Sequence, residues 1–274
     1  MKEITALGIS SEEVKRTRDM LAGKKVSGFE KYFVCEGLWA VEKLIAKKIN
    51  VTEFFFCPEM IKTDAEAELV EEMKAYAANV YSVSQKTCTK ISDREGADGF
   101  FIVAEMPDYS LDDMNKSLEE NQNLTCIILD GLEQPGNIGA ILRSLNCAGG
   151  AFAIVTNKRV RFTHPRLIRS SLGAAFTLPV VNADISEAQK WLAEKDFKIL
   201  VTDLTATKNY REIDYNGRIA IVAGNEFKGI SPSWRTADNA EPIIIPMFGD
   251  LESLNVGFAS TLVSYEAGMK QRGM

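Results

Sequence analysis

The stretch Ile243-Ile244-Ile245-Pro246-Met247-Phe248-Gly249-Asp250-Leu251-Glu252-Ser253-Leu254-Asn255-Val256-Gly257-Phe258 continues into Ala259-Ser260-Thr261-Leu262-Val263-Ser264-Tyr265-Glu266. Ile243 to Ile245 read as a buried strand, and Pro246 ends its ladder because proline has no N–H to donate. Gly249 to Ser253 form a polar loop. Val256, Ala259, Leu262, Val263 and Ala267 then recur at helical spacing, with Ser253 or Asn255 placed to cap the helix. A strand end, a tight loop and a helix start together turn backbone N–H and C=O groups toward a pocket, the way α/β proteins build ligand sites.

Working outward, strands are expected at 124–129, 151–155, 178–181, 198–202, 219–223 and 243–245. Helices are expected near 138–147, 185–195 and 255–271. This alternation predicts a parallel sheet covered on both faces. Nearer the N-terminus, Ser10-Ser11-Glu12-Glu13 resembles a capping box opening a helix to about Ala22, with Gly23 as its stop. Strands follow at 32–35, 51–57, 80–83 and 100–103. Between them lie a helix with Leu38, Val41, Leu44 and Ile45 inward, an acidic amphipathic helix at 64–78 and a short helical piece. The expected organisation is an N-terminal α/β unit over 1–106, a linker with a short helix over 107–123, and a second α/β unit over 124–274.

Composition bounds the function. The chain has 274 residues, 46% hydrophobic and 26% charged, which fits a soluble protein with a sizeable core. No apolar run approaches the roughly 20 residues of a membrane helix, and Met-Lys-Glu-Ile-Thr is no signal peptide, so no membrane is expected. Cys35, Cys57, Cys88, Cys126 and Cys147 have neither CxxC spacing nor a disulfide pattern, which suits a reducing cytoplasm. His164 is the only histidine, which argues against a Ser-His-Asp triad and a multi-histidine metal site; no metal is expected.

The net charge of −6 speaks against a polyanionic partner until its distribution is read. Residues 1–50 hold ten Lys/Arg and seven Asp/Glu, whereas 51–123 hold six and sixteen. Between Asn157 and Leu172 stand Lys158, Arg159, Arg161, Arg166 and Arg169 with His164 and no acid. Such a run is either a solvated face or a set of phosphate contacts.

Three loops should gather at the carboxyl edge of the parallel sheet. They are Asp130 to Gly139, running into a helix that carries Arg143; Gly224-Asn225-Glu226-Phe227-Lys228-Gly229-Ile230-Ser231; and the stretch quoted first. Each has a plain reading as a turn or cap. Neither a GxGxxG nor a P-loop fingerprint is present.

Together the loops resemble the three motifs of the SpoU-type (TrmH-like) RNA ribose methyltransferases of the SPOUT class. Asn-x-Gly-x-x-x-Arg matches Asn137, Gly139 and Arg143; Gly-x-Glu-x-x-Gly matches Gly224, Glu226 and Gly229. Ile-Pro-Met followed by Ser-Leu-Asn-Val matches Ile245, Pro246, Met247, Ser253, Leu254, Asn255 and Val256. The N-terminal unit resembles the small ribosomal-protein-like substrate-binding domain of many members, with Glu36-Gly37 and Asp98-Gly99 in corresponding places. Gly257-Phe258 depart from the family's frequent Ser-Val, and Asp250 and Glu252 add acid near the RNA approach.

The resemblance implies a parallel sheet with a C-terminal trefoil knot, a homodimer built partly by the last helix, and S-adenosyl-L-methionine as methyl donor. The cofactor would rest around Thr202, Asp203, Leu204, Gly224, Asn225, Ile245, Met247 and Leu254. The implied catalytic set is Arg143, Asn137, Glu226, Ser253 and Asn255, acting on a ribose 2′-oxygen. Because a guanidinium keeps its proton, Arg143 is assigned to phosphate holding and oxyanion stabilisation rather than to general base. Beside such a site, Lys158, Arg159, Arg161, Arg166 and Arg169 are expected to clamp RNA phosphates. A separate N-terminal domain favours 23S rRNA as target; tRNA and a thiopeptide-resistance-type rRNA methyltransferase are the alternatives. The rivals from other classes are an RNA-binding protein that retains the fold and a small-molecule α/β enzyme.

Overall fold

The computed structural model describes residues 3–92 and 96–274. The chain divides into two compact units, one of residues 1–107 with 162–173 and one of residues 108–161 with 174–274.

The first unit opens with β1 (Ile4–Leu7), α1 (Glu12–Leu21), β2 (Tyr32–Glu36), α2 (Val41–Ala46) and β3 (Val51–Phe56). It continues with α3 (Asp64–Tyr76), β4 (Asn79–Val83), α4 (Gln85–Ile91) and β5 (Phe100–Glu105). The strand order is β1-β4-β3-β5-β2. β1 and β3 run parallel to β4, whereas β5 is antiparallel to both β3 and β2. The sheet is therefore mixed, a matter of strand direction that the expected N-terminal α/β unit left open. β5 starts at the edge where β3 and β4 end, since Phe100 pairs with Phe56 and Phe56 with Ser82. β1 was not foreseen, being four residues long and mostly exposed.

The expected capping box at Ser10–Glu13 does not form, because the Ser11 hydroxyl donates to the Gly8 carbonyl at 2.6 Å. One forms instead at α3, where Thr63 and Glu66 exchange side-chain and backbone bonds at 3.2 Å. Val14, Met20 and Leu21 of α1 pack with Phe55, Cys88, Phe101 and Val103 into one core.

The second unit holds α5 (Asn115–Glu120), β6 (Leu124–Asp130), α6 (Pro135–Cys147) and β7 (Phe152–Thr156). The chain then makes α7 (Pro165–Ser171), which packs on β2 and is counted with the first unit. α8 (Ala174–Thr177), β8 (Val180–Asn182), α9 (Ile185–Glu194), β9 (Phe197–Thr202) and β10 (Arg218–Ala223) return to the second. α10 (Pro232–Arg235), β11 (Ala240–Ile243) and α11 (Val256–Lys270) complete it.

Here every pairing is parallel, in the order β11-β9-β10-β6-β7-β8. Alternate residues of the central strands, such as Cys126, Ile128, Ala220 and Val222, meet Trp191, Leu192 and Trp234 on one face. α6 and α11 pack together, and α11 also lies on β10 and β6. The expected linker over 107–123 is a packed element, because Leu111, Met114 and Leu118 are buried in this same core.

Two expectations for the C-terminal stretch are corrected. The strand spans Ala240–Ile243 rather than 243–245, and it is an edge strand paired only to β9, which is why Pro242 is tolerated in it. Leu262 faces outward rather than inward. α11 meets its neighbours through small residues, with Gly257, Ser260, Ser264, Ala267 and Gly268 all buried.

Candidate active site

β6 and β10 are neighbours, and their following loops enter α6 and α10 at the carboxyl edge of the sheet. The loop after β11 leads into α11. This edge is where an open parallel sheet binds ligands.

One hydrogen-bond chain joins all three loops. Glu226 Oε1 accepts from Asn137 Nδ2 at 2.9 Å and from the Gln134 backbone at 3.3 Å, while its Oε2 accepts from the Glu133 backbone at 3.3 Å. Asn137 Oδ1 in turn accepts from Asn255 Nδ2 at 3.3 Å. Asn255 is the N-cap of α11, its Oδ1 accepting from the Gly257 backbone at 2.8 Å. Glu226 thus satisfies orphan donors at the start of α6, where a negative charge is favoured. Burial pushes its pKa up, but the Asn137 amide and the backbone N–H groups outweigh this and hold the carboxyl below its ordinary value.

The loop that presents Glu226 is rigid by its own bonds. Asn225 and Gly229 exchange backbone hydrogen bonds at 3.0 and 2.9 Å, and Asn225 Oδ1 accepts from the backbones of Phe227 and Lys228. Asn225 Nδ2 donates to the Gly131 carbonyl at 2.8 Å, tying the loop to the end of β6. A Cβ on Gly224 would stand 2.6 Å from Gly229 C and Ile230 N, so only glycine fits there.

A cavity of about 840 Å³ opens beside this arrangement, lined by Ile245, Met247, Ser253, Leu254 and Leu262 among others, with Arg211 and Asp250 supplying charge. Of the expected cofactor-contacting residues, Ile245, Met247 and Leu254 therefore line it. The others are placed differently. Thr202 Oγ1 donates to the Val222 carbonyl at 3.3 Å. Asp203 pairs with Arg235 at 2.6 Å and accepts from Thr205; those backbone and hydroxyl bonds, against a smaller burial effect, hold its carboxyl below the usual range. Leu204 is exposed, while Gly224 and Asn225 are spent on the Glu226 loop.

Arg143 is exposed on α6 and forms no hydrogen bond or ion pair among the described residues. Helical spacing puts it on the face of Ala140, whose Cβ lies 3.9 Å from the Cβ position of Gly257, and its neighbour Ser144 sits 2.7 Å from Thr261 Oγ1. The residues of α6 that meet α11 are thus Asn137, Ala140 and Ser144, and Arg143, about 120° round the helix from Asn137, is not brought into the hydrogen-bond chain. Ser253 lines the cavity and is exposed.

The basic run is split. Lys158, Arg159 and Arg161 fall in the second unit; Arg166 and Arg169 stand on α7 in the first. Arg169 lines a small cavity there with Glu36, Trp39 and Asp98. His164 is the N-cap of α7, its Nδ1 accepting from the Arg166 backbone at 3.1 Å.

Sequence reasoning left Asp130 without a role, although a carboxylate ending the apolar run Leu124–Leu129 was a signal. Only 1% exposed, it accepts from Thr156 Oγ1, Asn157 Nδ2 and the Ser231 backbone at 2.8–3.1 Å. It joins the ends of β6 and β7 to the loop after β10. Among the described residues no cluster of His, Cys, Asp and Glu could hold a metal ion.

Comparison with known proteins finds two family matches. Residues 124–265, a little over half of the chain, match the SpoU rRNA Methylase family, and residues 11–101 match the MRM3-like substrate binding domain. YacO of Bacillus subtilis, assigned to the TrmH family of tRNA/rRNA methyltransferases, is 30% identical over 62% of this chain and 70% of its own length. The 23S rRNA (uridine(2479)-2′-O)-methyltransferase of Streptomyces viridochromogenes is 31% identical over 62% of this chain and 59% of its own. The AdoMet-bound rRNA methyltransferase of Sinorhizobium meliloti superposes with a TM-score of 0.83 at 21% identity, covering 96% of this chain and 97% of that one.

Proposed function

The chain belongs to the SpoU rRNA methylase family of RNA methyltransferases, and from that premise we propose that it methylates a ribose 2′-oxygen of 23S rRNA with S-adenosyl-L-methionine as donor. The observation that carries the reading is the Glu226–Asn137–Asn255 hydrogen-bond chain, which brings three distant motif segments to one place. The Streptomyces relative supports the 2′-oxygen and the large-subunit RNA.

The donor suits the cavity. Its volume of about 840 Å³ lies within the ordinary range of ligand pockets. Ile245, Met247 and Leu254 offer an apolar bed for the adenine, and Arg211 and Asp250 offer opposite charges for the amino-acid end. When bound, the donor supplies a methyl group on a positively charged sulfur. The chain's own residues must align the attacking oxygen and offset the charge that grows on it. Alignment of this kind is worth up to about 7–11 kcal/mol of barrier. Arg143, permanently charged and without a partner among the described residues, holds an RNA phosphate and stabilises that oxygen. Asn137 and Asn255 set the ribose approach. Glu226 is a positioning residue for Asn137, and Ser253 borders the donor.

The first unit acts as the RNA substrate-binding domain, consistent with its family match. Lys158, Arg159, Arg161, Arg166 and Arg169 contribute phosphate contacts from both units. The protein works as a homodimer: Phe258, Leu262, Tyr265 and Met269 form an exposed apolar stripe along α11 at helical spacing, and Leu262 also borders the donor cavity. A trefoil knot accords with the backbone bonds of Ile244 to Lys208 and Tyr210, which hold the final segment against the preceding loop before α11 returns to α6. No helix among the described residues is long and apolar enough to cross a membrane, and the cytoplasm is the compartment that fits the substrate.

The test incubates the protein with tritiated S-adenosylmethionine and separate 23S rRNA, 16S rRNA and tRNA pools. Label on 23S rRNA, mapped to a 2′-O-methyl, is expected. Label on tRNA alone would move the substrate, and turnover of a small hydroxyl acceptor without RNA would overturn the reading.

A further inference from the structure

The tip of the loop after β10 carries an anomaly. Phe227 is 84% exposed, although the backbone on both sides of it is pinned by the Asn225–Gly229 pairing and by the Asn225 side chain. A large aromatic held out in water on a rigid turn buries nothing in the fold. Next to it, Lys228 lines a cavity of about 260 Å³ together with Arg159, Asn157, Asn225 and Ser231. Asp130 and the exposed Glu133 also border this cavity; the oxygens of Asp130 already accept from Thr156, Asn157 and the Ser231 backbone. Among the described residues neither Lys228 nor Arg159 has an ion-pair partner.

Two unpaired cations over a polar pocket, with an exposed ring one residue away, match the chemistry of one unpaired nucleotide. The phosphate takes the cations and the base takes the ring. We propose that Phe227, Lys228 and Arg159 form a subsite for an unstacked nucleotide of the substrate RNA next to the target ribose, with Phe227 as the stacking platform. The inference rests on the RNA reading above and adds to it that the target lies in single-stranded or splayed-out RNA. Glu226 and Phe227 then have complementary duties on one rigid turn. Glu226 fixes α6 and Asn137, and Phe227 presents the neighbouring base to that same site. A duplex, whose bases are already stacked on one another, has no face to offer Phe227.

The experiment measures binding of the full chain to a labelled single-stranded oligoribonucleotide and to its duplex at several salt concentrations. Methyl transfer to rRNA and oligomeric state by light scattering are measured alongside. Phe227→Ala is expected to weaken single-strand binding by about tenfold or more and to raise the KM for rRNA with kcat little changed, while Phe227→Trp restores both. Lys228→Ala and Arg159→Ala should each reduce the salt slope by about one. If Phe227→Ala binds the single strand as tightly as the parent, or loses duplex binding equally, the stacking subsite falls while the methyltransferase reading stands. Conversion of the Phe227→Ala protein to a lower oligomeric state would make the ring a contact between copies and also overturn the subsite. A parent protein that methylates no RNA pool yet binds the single strand through Phe227 would overturn the activity and leave the subsite in place.

Discussion

Asn137 and Glu226, 89 residues apart in the chain, are joined by a 2.9 Å hydrogen bond at the first turn of α6. Through it the loop after β10 controls where α6 begins, and through Asn255 it reaches the start of α11.

Glu226→Ala should strand the Asn137 amide and two backbone donors, costing about 1–3 kcal/mol of stability and most methyl transfer. Glu226→Gln keeps the shape but loses the charge, so thermal stability should fall less than activity. The pair also makes a pH prediction. The carboxyl is held below its ordinary value, so its contribution is present above the unfolded value and fades as pH falls through the folded one. The melting-temperature gap between the parent and Glu226→Gln should therefore close in acid, below about pH 4. A gap constant with pH would remove the charge from the account.

Arg143→Ala should retain donor affinity by calorimetry and lose about 100-fold or more in kcat, as expected for a lost electrostatic contact to a developing oxyanion. Arg143→Lys should recover only part, because the ammonium lacks the planar fork. Unchanged turnover in the alanine variant would take Arg143 off the catalytic list.

Gly224→Ala places a methyl 2.6 Å from Gly229 C and Ile230 N, both backbone. Neither atom can swing aside, so a loss of about 1–3 kcal/mol is expected on denaturant unfolding, with the Glu226 loop displaced. A variant as stable as the parent would mean that the loop has room to shift.

Leu262→Asp puts a charge in the middle of the α11 stripe and at the border of the donor cavity. A fall in molar mass by light scattering, together with weaker donor binding, is the expected outcome. Retention of a dimer would move the interface elsewhere.

The fold of the second unit was legible because its strands are short apolar runs between helical periods. β6 and β7 fall within a residue or two of their expected positions and are wholly buried. The misread places have physical causes. Residues 106–123 look polar, yet Leu111, Met114 and Leu118 are spaced to bury one face of a short helix. Leu262 fits a helical period on α11, but so do the small residues that α11 packs with, and periodicity alone does not say which side is inner. In the first unit, alternation of strands and helices carried no information on direction, and β5 runs against its neighbours. At the site, residue types announced Asn137, Glu226 and Asn255. Asp130 and Phe227 acquire meaning only from burial and exposure, which a sequence does not display.

The excursion of residues 162–173 into the first unit has a consequence for synthesis. Leu167 and Ile168 are buried in α7, which packs on β2, so a chain made only to residue 107 leaves that edge strand without its helix. That cover arrives with residue 173, after β6 and β7 have been made. A chain ending at residue 107 is therefore expected to be more protease-sensitive than the same chain supplied with a peptide spanning 162–173.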